Sequence, residues 1–264
     1  MIWVNGEPQQ SIAVADRAVQ FGDGCFTTGR INNGELLLLS AHIQRLQQGC
    51  ERLLITGVDW QALQQEMITA AENHAEAVLK VIITRGSGGR GYSANGCQTP
   101  TRIVSVAAYP QHYHRLREEG VRLAVSPVRL SKNPLLAGIK HLNRLEQVLI
   151  RAHLDQTEAD ESIVLDTDAV LVECCAANFF WRRGDQVFTP DLSESGVNGL
   201  QRQRVMQQVV KLGLSLHVVR VGLDVLADAD EVLLTNALMP VLPVNQIEAW
   251  HYHSRHLFHL LFPH

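Results

Sequence analysis

The stretch Gly138-Ile139-Lys140-His141-Leu142-Asn143-Arg144-Leu145 decides the predicted fold class, because it sets a lysine between a glycine and an apolar repeat. The repeat runs at helical spacing up to Gln156, through Leu142, Leu145, Val148, Leu149 and Ala152. We therefore predict that Lys140 lies at the start of an amphipathic helix. A helix N-terminus helps lower the pKa of an amine and favours the neutral form that condenses with an aldehyde. The alternative is a solvated surface lysine.

An acid follows downstream in a run that is otherwise apolar or small. The run Leu171–Phe180 contains Glu173 and Asn178, and we predict that Glu173 is largely buried. A buried carboxylate is costly unless it is paired. The protonated pyridine nitrogen of pyridoxal phosphate is one partner that would both need and stabilise it.

Two further segments offer hydrogen-bond donors to a phosphate. Gly196–Arg202 is a glycine-bearing turn that leads into a helix, whose first backbone N–H groups have no partner within the helix. Glu231–Pro240 is predicted as an apolar strand that ends in a polar Thr-Asn turn. The sequence thus places a lysine, an acid and two donor turns in this order along the chain.

Taken together, these motifs resemble those of fold-type IV pyridoxal-phosphate enzymes. The resemblance extends to about Val244, and it also rests on Phe21–Thr28, His42–Leu46 and Arg85–Ser93. It implies an α/β (α+β) fold of the D-amino-acid and branched-chain aminotransferase type. Two domains are expected, a small one over 1–109 and a larger cofactor-binding one over 121–264, joined by a connector over 110–120, with pyridoxal 5'-phosphate in the cleft between them. A homodimer is implied as well, in which the N-terminal domain of one subunit borders the other's site.

The resemblance also implies roles for single residues. Lys140 is expected to bind the cofactor covalently and then to act as general base and acid, while Glu173 keeps the pyridine nitrogen protonated. Arg45 is expected to bind the phosphate; without the resemblance it would be predicted as a surface arginine. The remaining expected cofactor contacts are Asn178, Leu200, Gln201, Asn236 and Ala237. For Asn178 the alternative is an amide that only closes a turn.

The substrate side of the motifs separates candidate reactions. D-amino-acid aminotransferases of this fold carry a tyrosine where this chain has Phe26, and an Arg-x-His pair where it has Arg90-Gly91-Tyr92. The resemblance therefore favours the lyase branch of the family, whose substrate is 4-amino-4-deoxychorismate and whose products are 4-aminobenzoate and pyruvate. Thr28 is expected either to relay a proton or to be a strand hydroxyl satisfied by the backbone. The alternatives are an aminotransferase for D- or branched-chain amino acids and a carrier of the cofactor without turnover.

Composition narrows the class of protein further. The 264 residues carry a net charge of −4 without a basic stripe, so nucleic acid is not an expected partner. No apolar run approaches the roughly 20 residues of a membrane span. The five cysteines show no zinc-like spacing and are expected to be reduced thiols in the cytoplasm.

Two other motifs are set aside on their context. Gly86–Gly91 satisfies the dinucleotide pattern G-x-G-x-x-G, but Asn95-Gly96 and Pro100 exclude the helix that should follow, so we predict a flexible loop carrying Arg90. The C-terminal histidines lack an acid or cysteine that would complete a metal site, and no metal is predicted. They are His251, His253, His256, His259 and His264.

Overall fold

Residues 1–97 and 99–262 are described in the computed structural model of the protein. They divide into two units, one formed by Met1–Pro110 with Ile139–Asn143, the other by Gln111–Gly138 with the chain from Arg144 onward. Where a polar connector was predicted, the chain forms a helix of the second unit. His264 lies outside the described residues.

The first unit is built on an antiparallel sheet. Its strands within the described part of the chain are β1 (Ile2–Val4), β2 (Glu7–Pro8), β3 (Gly24–Asn32), β4 (Glu35–Leu36), β5 (Glu76–Thr84) and β6 (Thr101–Ala108), in the order β2-β1-β6-β5-β3-β4. Its helices are α1 (Arg17–Phe21), α2 (Leu39–Arg52) and α3 (Trp60–Ala71). The turn residues Asn5-Gly6 and Asn32-Asn33-Gly34 predict two hairpins, and the pairings of β1 with β2 and of β3 with β4 confirm both.

Alternation along β3 gives the sheet two different faces. Cys25, Thr27 and Ile31 are buried, and the two nonpolar ones pack with α2 and α3 in one core. Phe26 and Thr28 point to the opposite face, where they are only half-buried. Serine is a favoured N-cap residue, so Ser40 predicts a helix that starts directly after it. This prediction is wrong, because α2 begins at Leu39 without a side-chain cap and Ser40 lies inside its first turn.

The segment around Lys140 is extended and not helical. The backbone N–H of Phe26 donates to Lys140 O at 2.9 Å, and Leu142 N–H donates to Gly24 O at 3.0 Å. The helix begins at Leu145, so the prediction that Lys140 starts it is wrong, and the argument from the helix dipole no longer applies. The physical reason is that pairing with β3 uses backbone groups that a helix would need for its own ladder.

The second unit is built on a mixed sheet. Its strands are β7 (Val121–Val125), β8 (Glu161–Leu165), β9 (Leu171–Cys174), β10 (Asn178–Arg183), β11 (Gln186–Pro190), β12 (Ser215–Val219), β13 (Glu231–Thr235), β14 (Leu242–Ile247) and β15 (Trp250–His251). The described order is β12-β11-β10-β13-β14-β7-β8-β9, with β15 beside β14. Around it lie α4 (His112–Glu119), α5 (Leu145–Leu154), α6 (Leu200–Lys211), the 3₁₀-helix Leu223–Asp228 and α7 (His256–Leu261).

The strands β8, β9 and β13 are buried along their whole length, which agrees with their mainly apolar sequences, and each also buries one glutamate. Phe179, Trp181 and Leu234 contribute to the main core of this unit. The polar, glycine-bearing stretch Arg182–Asp185 predicts a hairpin, and the pairing of β10 with β11 confirms it. The sheet therefore holds Glu173, on β9, inside the protein.

The helix α5 buries a different face from the predicted one. Ile150 and Leu154 are buried, whereas Leu145, Val148 and Leu149 are 78%, 60% and 54% exposed. The apolar repeat predicted the helix correctly, but these three residues do not enter the core of the chain. None of the described helices is long and apolar enough to cross a membrane.

Candidate active site

Lys140 lies against an aromatic ring in the first unit. Its Nζ is 4.7 Å from the centroid of the Phe26 ring, and the backbone of the two residues is joined by the hydrogen bond described above. The pairing with β3 places the Lys140 side chain on the half-buried face of the sheet. A cation at this distance from a ring centroid is attracted by the π electrons.

The same face carries Thr28 and a second lysine. Thr28 follows Phe26 by two residues on β3 and is paired across the sheet with Lys80 on β5. The Nζ of Lys80 is 5.1 Å from the Phe26 centroid. Lys80 is not among the residues predicted from the sequence. Strand alternation is the signal that could have found it, because it puts Lys80 beside Thr28 once β3 and β5 are paired.

Arg45 has a buried N–H group without a hydrogen-bond partner among the described residues. It lies on α2, its Nε is buried, and no described residue accepts a hydrogen bond from that atom. Burial lowers the pKa of Arg45 to about 10, which still leaves the guanidinium charged at neutral pH. A charged guanidinium with a buried N–H that has no acceptor is unfavourable, and an anion bound there would accept that hydrogen bond.

His42 fixes the helix that carries Arg45. Its Nδ1 is 2.6 Å from Thr27 Oγ1 on β3, and both residues are buried. Burial, together with the nearby charge of Arg45, lowers the pKa of His42 to about 3, so the ring is neutral at physiological pH. The hydrogen bond therefore joins α2 to the sheet without adding a second charge.

Arg90 and Tyr92 lie on the loop that joins β5 to β6. Both are exposed, Tyr92 to 90%. The Arg17 side chain donates hydrogen bonds to the backbone of Gly91, Tyr92 and Ser93. This part of the loop is therefore anchored, in contrast to the flexible loop that was predicted.

Glu173 is confirmed as a buried acid in the second unit. It is 5% exposed, and its Oε2 accepts a hydrogen bond from Val197 N–H at 2.8 Å. A β-carbon at Gly196 would lie 3.3 Å from the same oxygen and 2.7 Å from Val172 Cγ1. The turn at Gly196–Gly199 therefore approaches the carboxylate as closely as its backbone allows.

Asn178 joins the strand β10 to this turn. Its Nδ2 donates to Val197 O at 2.9 Å, and its Oδ1 accepts from Gly199 N–H at 3.2 Å. Because these partners lie 19 and 21 residues away, the amide does not close a local turn. A β-carbon at Gly199 would be 2.2 Å from Asn178 Oδ1, so these two hydrogen bonds of Asn178 require glycine at position 199.

The helix α6 begins directly after the clamped turn, as predicted. Gly199 is its N-cap, and no described side chain caps it, so the amides of the first turn, including Leu200 and Gln201, remain for another acceptor. Buried Arg202 braces the turn through Asn198 Oδ1 at 2.9 Å and Pro190 O at 2.9 Å. Arg202 belongs to the Gly196–Arg202 segment, but its sequence context predicts no role for it.

The turn after β13 uses several of its own hydrogen-bonding groups internally. Asn236 N–H donates to Met239 O at 3.0 Å, and its side chain donates to Ala176 O at 3.1 Å. The backbone amide that this turn can still offer is that of Ala237. Asn236 therefore shapes the turn through its own hydrogen bonds.

An acidic cluster elsewhere in the second unit is neutralised by cations. Asp166, Asp168 and Glu194 have the spacing of metal ligands among the described residues. Lys132 pairs with Glu194 at 2.9 Å and also contacts Asp168, and Arg220 pairs with Glu194 at 2.8 Å. These ion pairs account for the cluster without a bound ion.

The arrangement within each unit fits pyridoxal phosphate. The first supplies an amine and a half-buried arginine whose buried Nε has no partner among the described residues, and the second supplies a buried carboxylate and a helix N-terminus without a side-chain cap. These are the groups that an aldehyde, a pyridinium nitrogen and a phosphate bind.

Sequence comparison assigns the class. The model of the amino-transferase class IV family matches residues 24–247, and the chain belongs to this family, whose members depend on pyridoxal phosphate. The chain is 41% identical over 249 residues to aminodeoxychorismate lyase of Vibrio harveyi, covering 94% of this chain and 92% of that protein.

Structural and more distant relatives agree on the fold. The crystal structure of 4-amino-4-deoxychorismate lyase from Pseudomonas aeruginosa superposes with a TM-score of 0.91 at 37% identity, covering 96% of this chain and 94% of that one. D-alanine aminotransferase of Bacillus licheniformis is 27% identical over 90% of this chain and 83% of its own length. The expected fold-type IV architecture is thus confirmed.

Proposed function

We propose that the protein is a pyridoxal-phosphate-dependent lyase that converts 4-amino-4-deoxychorismate into 4-aminobenzoate and pyruvate. The observation that carries the proposal is that Lys140 Nζ lies 4.7 Å from a phenyl ring, that of Phe26, where D-amino-acid aminotransferases carry a phenol. A phenyl ring cannot donate a hydrogen bond to an α-carboxylate. The similarity to two lyases at 41% and 37% identity supports the same conclusion.

The cofactor would be held by Lys140, Arg45, Glu173, Asn178, Leu200, Gln201, Asn236 and Ala237. When bound, pyridoxal phosphate supplies an electron sink for the carbanion formed at the amine-bearing carbon. Arg45 and the first amides of α6 would bind the phosphate, and Leu200 would pack against the ring. Asn178 and Asn236 would act through the backbone turns that they shape.

The proposed reaction needs one proton removed and one leaving group expelled. The Nζ of Lys140 takes the proton from the amine-bearing carbon. The electron pair of that C–H bond then forms a ring double bond as the neighbouring C–O bond breaks and the enol of pyruvate leaves. Thr28 is on the same sheet face as Phe26 and is the hydroxyl proposed to pass a proton to the departing oxygen. Since the ring becomes aromatic, the step is effectively irreversible.

Lys80 on the sheet face and Arg90 on the neighbouring loop suit a substrate that carries two carboxylates. 4-Amino-4-deoxychorismate carries two carboxylates, which nearby cations would attract. Lys80 Nζ lies 5.1 Å from the Phe26 centroid, and exposed Arg90 supplies a second cation in the loop between β5 and β6. We assign Phe26, Arg90 and Tyr92 to substrate binding.

The proposal is tested by product analysis on the purified holoenzyme. Incubation with 4-amino-4-deoxychorismate, without any keto acid, is expected to release pyruvate and 4-aminobenzoate in equal amounts. D-Alanine with 2-oxoglutarate is expected to react slowly or not at all. Rapid transamination of D-alanine without release of 4-aminobenzoate would instead establish the aminotransferase alternative.

Replacement of Arg45 tests the phosphate site. Arg45→Ala is expected to weaken cofactor affinity by about ten- to a hundredfold, because a charge-assisted hydrogen bond contributes roughly 1.5–3 kcal/mol. The measurement is titration of apoprotein with pyridoxal phosphate, followed by absorbance. Arg52→Ala, an exposed arginine at the end of the same helix, is the control and should bind normally. Equal affinity of both variants would make Arg45 a structural residue.

We further propose that the protein is a homodimer that works in the cytoplasm. The exposed apolar face of α5, formed by Leu145, Val148 and Leu149, supports self-association because such contiguous faces usually mark interfaces. Reduced Cys25 and Cys50, with sulfurs 3.8 Å apart, suit a reducing compartment. Sedimentation equilibrium is expected to give a dimer, and Leu149→Glu is expected to shift it toward monomer. A monomeric native protein contradicts the dimer.

A further inference from the structure

Arg17 is a buried arginine that the proposed reaction does not use. It is 4% exposed, at the first position of the short helix α1. Its Nε donates to Asp23 Oδ2 at 2.8 Å, and Asp23 also accepts from Arg85 Nε at 2.7 Å. Burial raises the pKa of the Asp23 carboxyl, but hydrogen bonds from Arg85 and Arg17 outweigh it and hold that pKa below its ordinary value. The carboxylate therefore stays charged and orients the guanidinium.

The other end of the guanidinium binds three consecutive backbone carbonyls. Nη1 donates to Gly91 O at 3.0 Å and to Ser93 O at 3.2 Å, and Nη2 donates to Tyr92 O at 3.2 Å. These are the three residues that directly follow Arg90. An ammonium could not reproduce this planar fork, because its donors radiate from one atom.

Aromatic contacts complete the grip on the loop. The Arg17 guanidinium carbon lies 4.8 Å from the centroid of the Phe21 ring, and Phe21 lies 5.5 Å from the ring of Tyr92. The backbone N–H of Arg17 donates to Gly86 O at 3.0 Å, at the beginning of the same loop. Arg17 thus contacts the loop both before and after Arg90.

The loop needs such an anchor because it has little structure of its own. Gly86, Gly88, Gly89 and Gly91 all adopt positive φ, between +55° and +128°, so its sequence favours many conformations in the absence of other contacts. A guanidinium held by Asp23 and packed on Phe21 selects one of them. The exposed side chain of Arg90 then projects from a backbone of fixed geometry.

We infer that Arg17 is a positioning residue that sets the conformation of the segment Arg90–Tyr92 and thereby the binding of the substrate carboxylate. The inference about substrate rests on the proposed function, whereas the inference about the loop does not. Arg17 acts through Arg90, so its loss should affect substrate binding more than the chemical step.

The first test measures the loop without using activity. In Arg17→Gln holoenzyme, trypsin is expected to cleave the Arg90–Gly91 bond about ten- to a hundredfold faster than in the native protein, because the opening of the loop loses charge-assisted hydrogen bonds. Mass spectrometry of the new N-terminus at Gly91 gives the rate. Asp23 keeps Arg85 as a partner in this variant, so its charge is not stranded. Arg102→Gln, which removes the ion pair with Glu66 in the same unit, is the matched control and should leave this cleavage rate unchanged.

The second test measures how Arg17 acts. Arg17→Gln is expected to raise KM for 4-amino-4-deoxychorismate about tenfold while kcat changes less, since uniform binding is lost. In an Arg90→Ala background the same replacement should raise KM no further. An additional increase there, or an unchanged trypsin rate in folded Arg17→Gln, overturns the inference. Faster cleavage in a protein that lacks lyase activity would support the role in the loop and reject the proposed substrate alone.

A glycine pair keeps the inference testable if Arg17→Gln does not fold. A β-carbon at Gly89 would lie 2.1 Å from Ser93 O and 3.1 Å from Arg17 Nη1, so Gly89→Ala should disturb the grip with Arg17 present. Gly91 also has positive φ, but a β-carbon there meets nothing within 4 Å. We expect a clear rise in KM for Gly89→Ala and a much smaller one for Gly91→Ala. Equal effects would mean that backbone strain, and not the Arg17 contact, controls the loop.

Discussion

Lys140→Ala is expected to abolish turnover, with a loss of at least about 10⁴-fold, because the same amine is proposed to bind the cofactor and to move the proton. Borohydride treatment of native holoenzyme should attach the cofactor irreversibly to Lys140, and peptide mapping should find no such label in the variant. The fold should persist, because the hydrogen bonds that join this segment to β3 use only its backbone.

Lys140→Arg provides the matched control for charge. An arginine keeps a cation over the Phe26 ring but cannot form the covalent bond, so it should be as inactive as alanine. Lys80→Ala, on the same sheet face, should still be labelled at Lys140. Label recovered at Lys80, Lys132 or Lys211 in the native protein would show that the covalent site has been assigned to the wrong residue.

Glu173→Gln is expected to slow elimination by roughly two to four orders of magnitude while the cofactor still binds. Glutamine keeps the shape and can still accept the hydrogen bond from Val197 N–H, but a neutral amide does not hold a pyridine nitrogen protonated. The electron sink would therefore be weaker. Single-turnover measurements of 4-aminobenzoate formation, quenched before the product leaves the enzyme, separate this effect from slower product release.

Glu161→Gln is a matched control in the same unit. Glu161 is buried on β8 and accepts hydrogen bonds from Ser162 N–H at 2.8 Å and Ala176 N–H at 3.0 Å. Burial raises the pKa of Glu161 to about 7, outweighing those hydrogen bonds, so a large share of this carboxyl is already neutral near pH 7. Glutamine keeps only one of the two acceptor oxygens, so this variant measures how much a local disturbance of packing and hydrogen bonding slows the reaction. Slowing of similar size in both variants would assign the Glu173 effect to packing and not to the electron sink.

Local pattern determined much of the architecture. Local sequence correctly predicts the hairpin at Asn32–Gly34, the apolar strand that begins at Glu231 and the glycine turn that leads into α6. These features depend on residues close in the chain, such as glycines at positive φ and alternating apolar side chains. Burial of Glu173 was also predicted, because an acid inside an apolar strand leaves few other outcomes.

Other features were decided by contacts between distant residues. Lys140 lies in an extended segment because β3, more than a hundred residues earlier, offers hydrogen bonds that outweigh the helical pattern. Arg45 would pass for a surface arginine in the sequence, and only the packing of α2 on the sheet buries its Nε. The apolar face of α5 is likewise exposed in this chain, since periodicity identifies a face but not what covers it.

The sequence by itself therefore determined the family, the order of the chemical groups and most of the strands, because these depend on residue identity and short-range geometry. The tertiary structure decided which groups are buried, which donors are left for a ligand, and that Arg17 holds the loop carrying Arg90. The physical reason is that burial and hydrogen-bond partners depend on segments far apart in the chain. Arg17 and Ser93, joined across 76 residues, carry no mark in the sequence that pairs them.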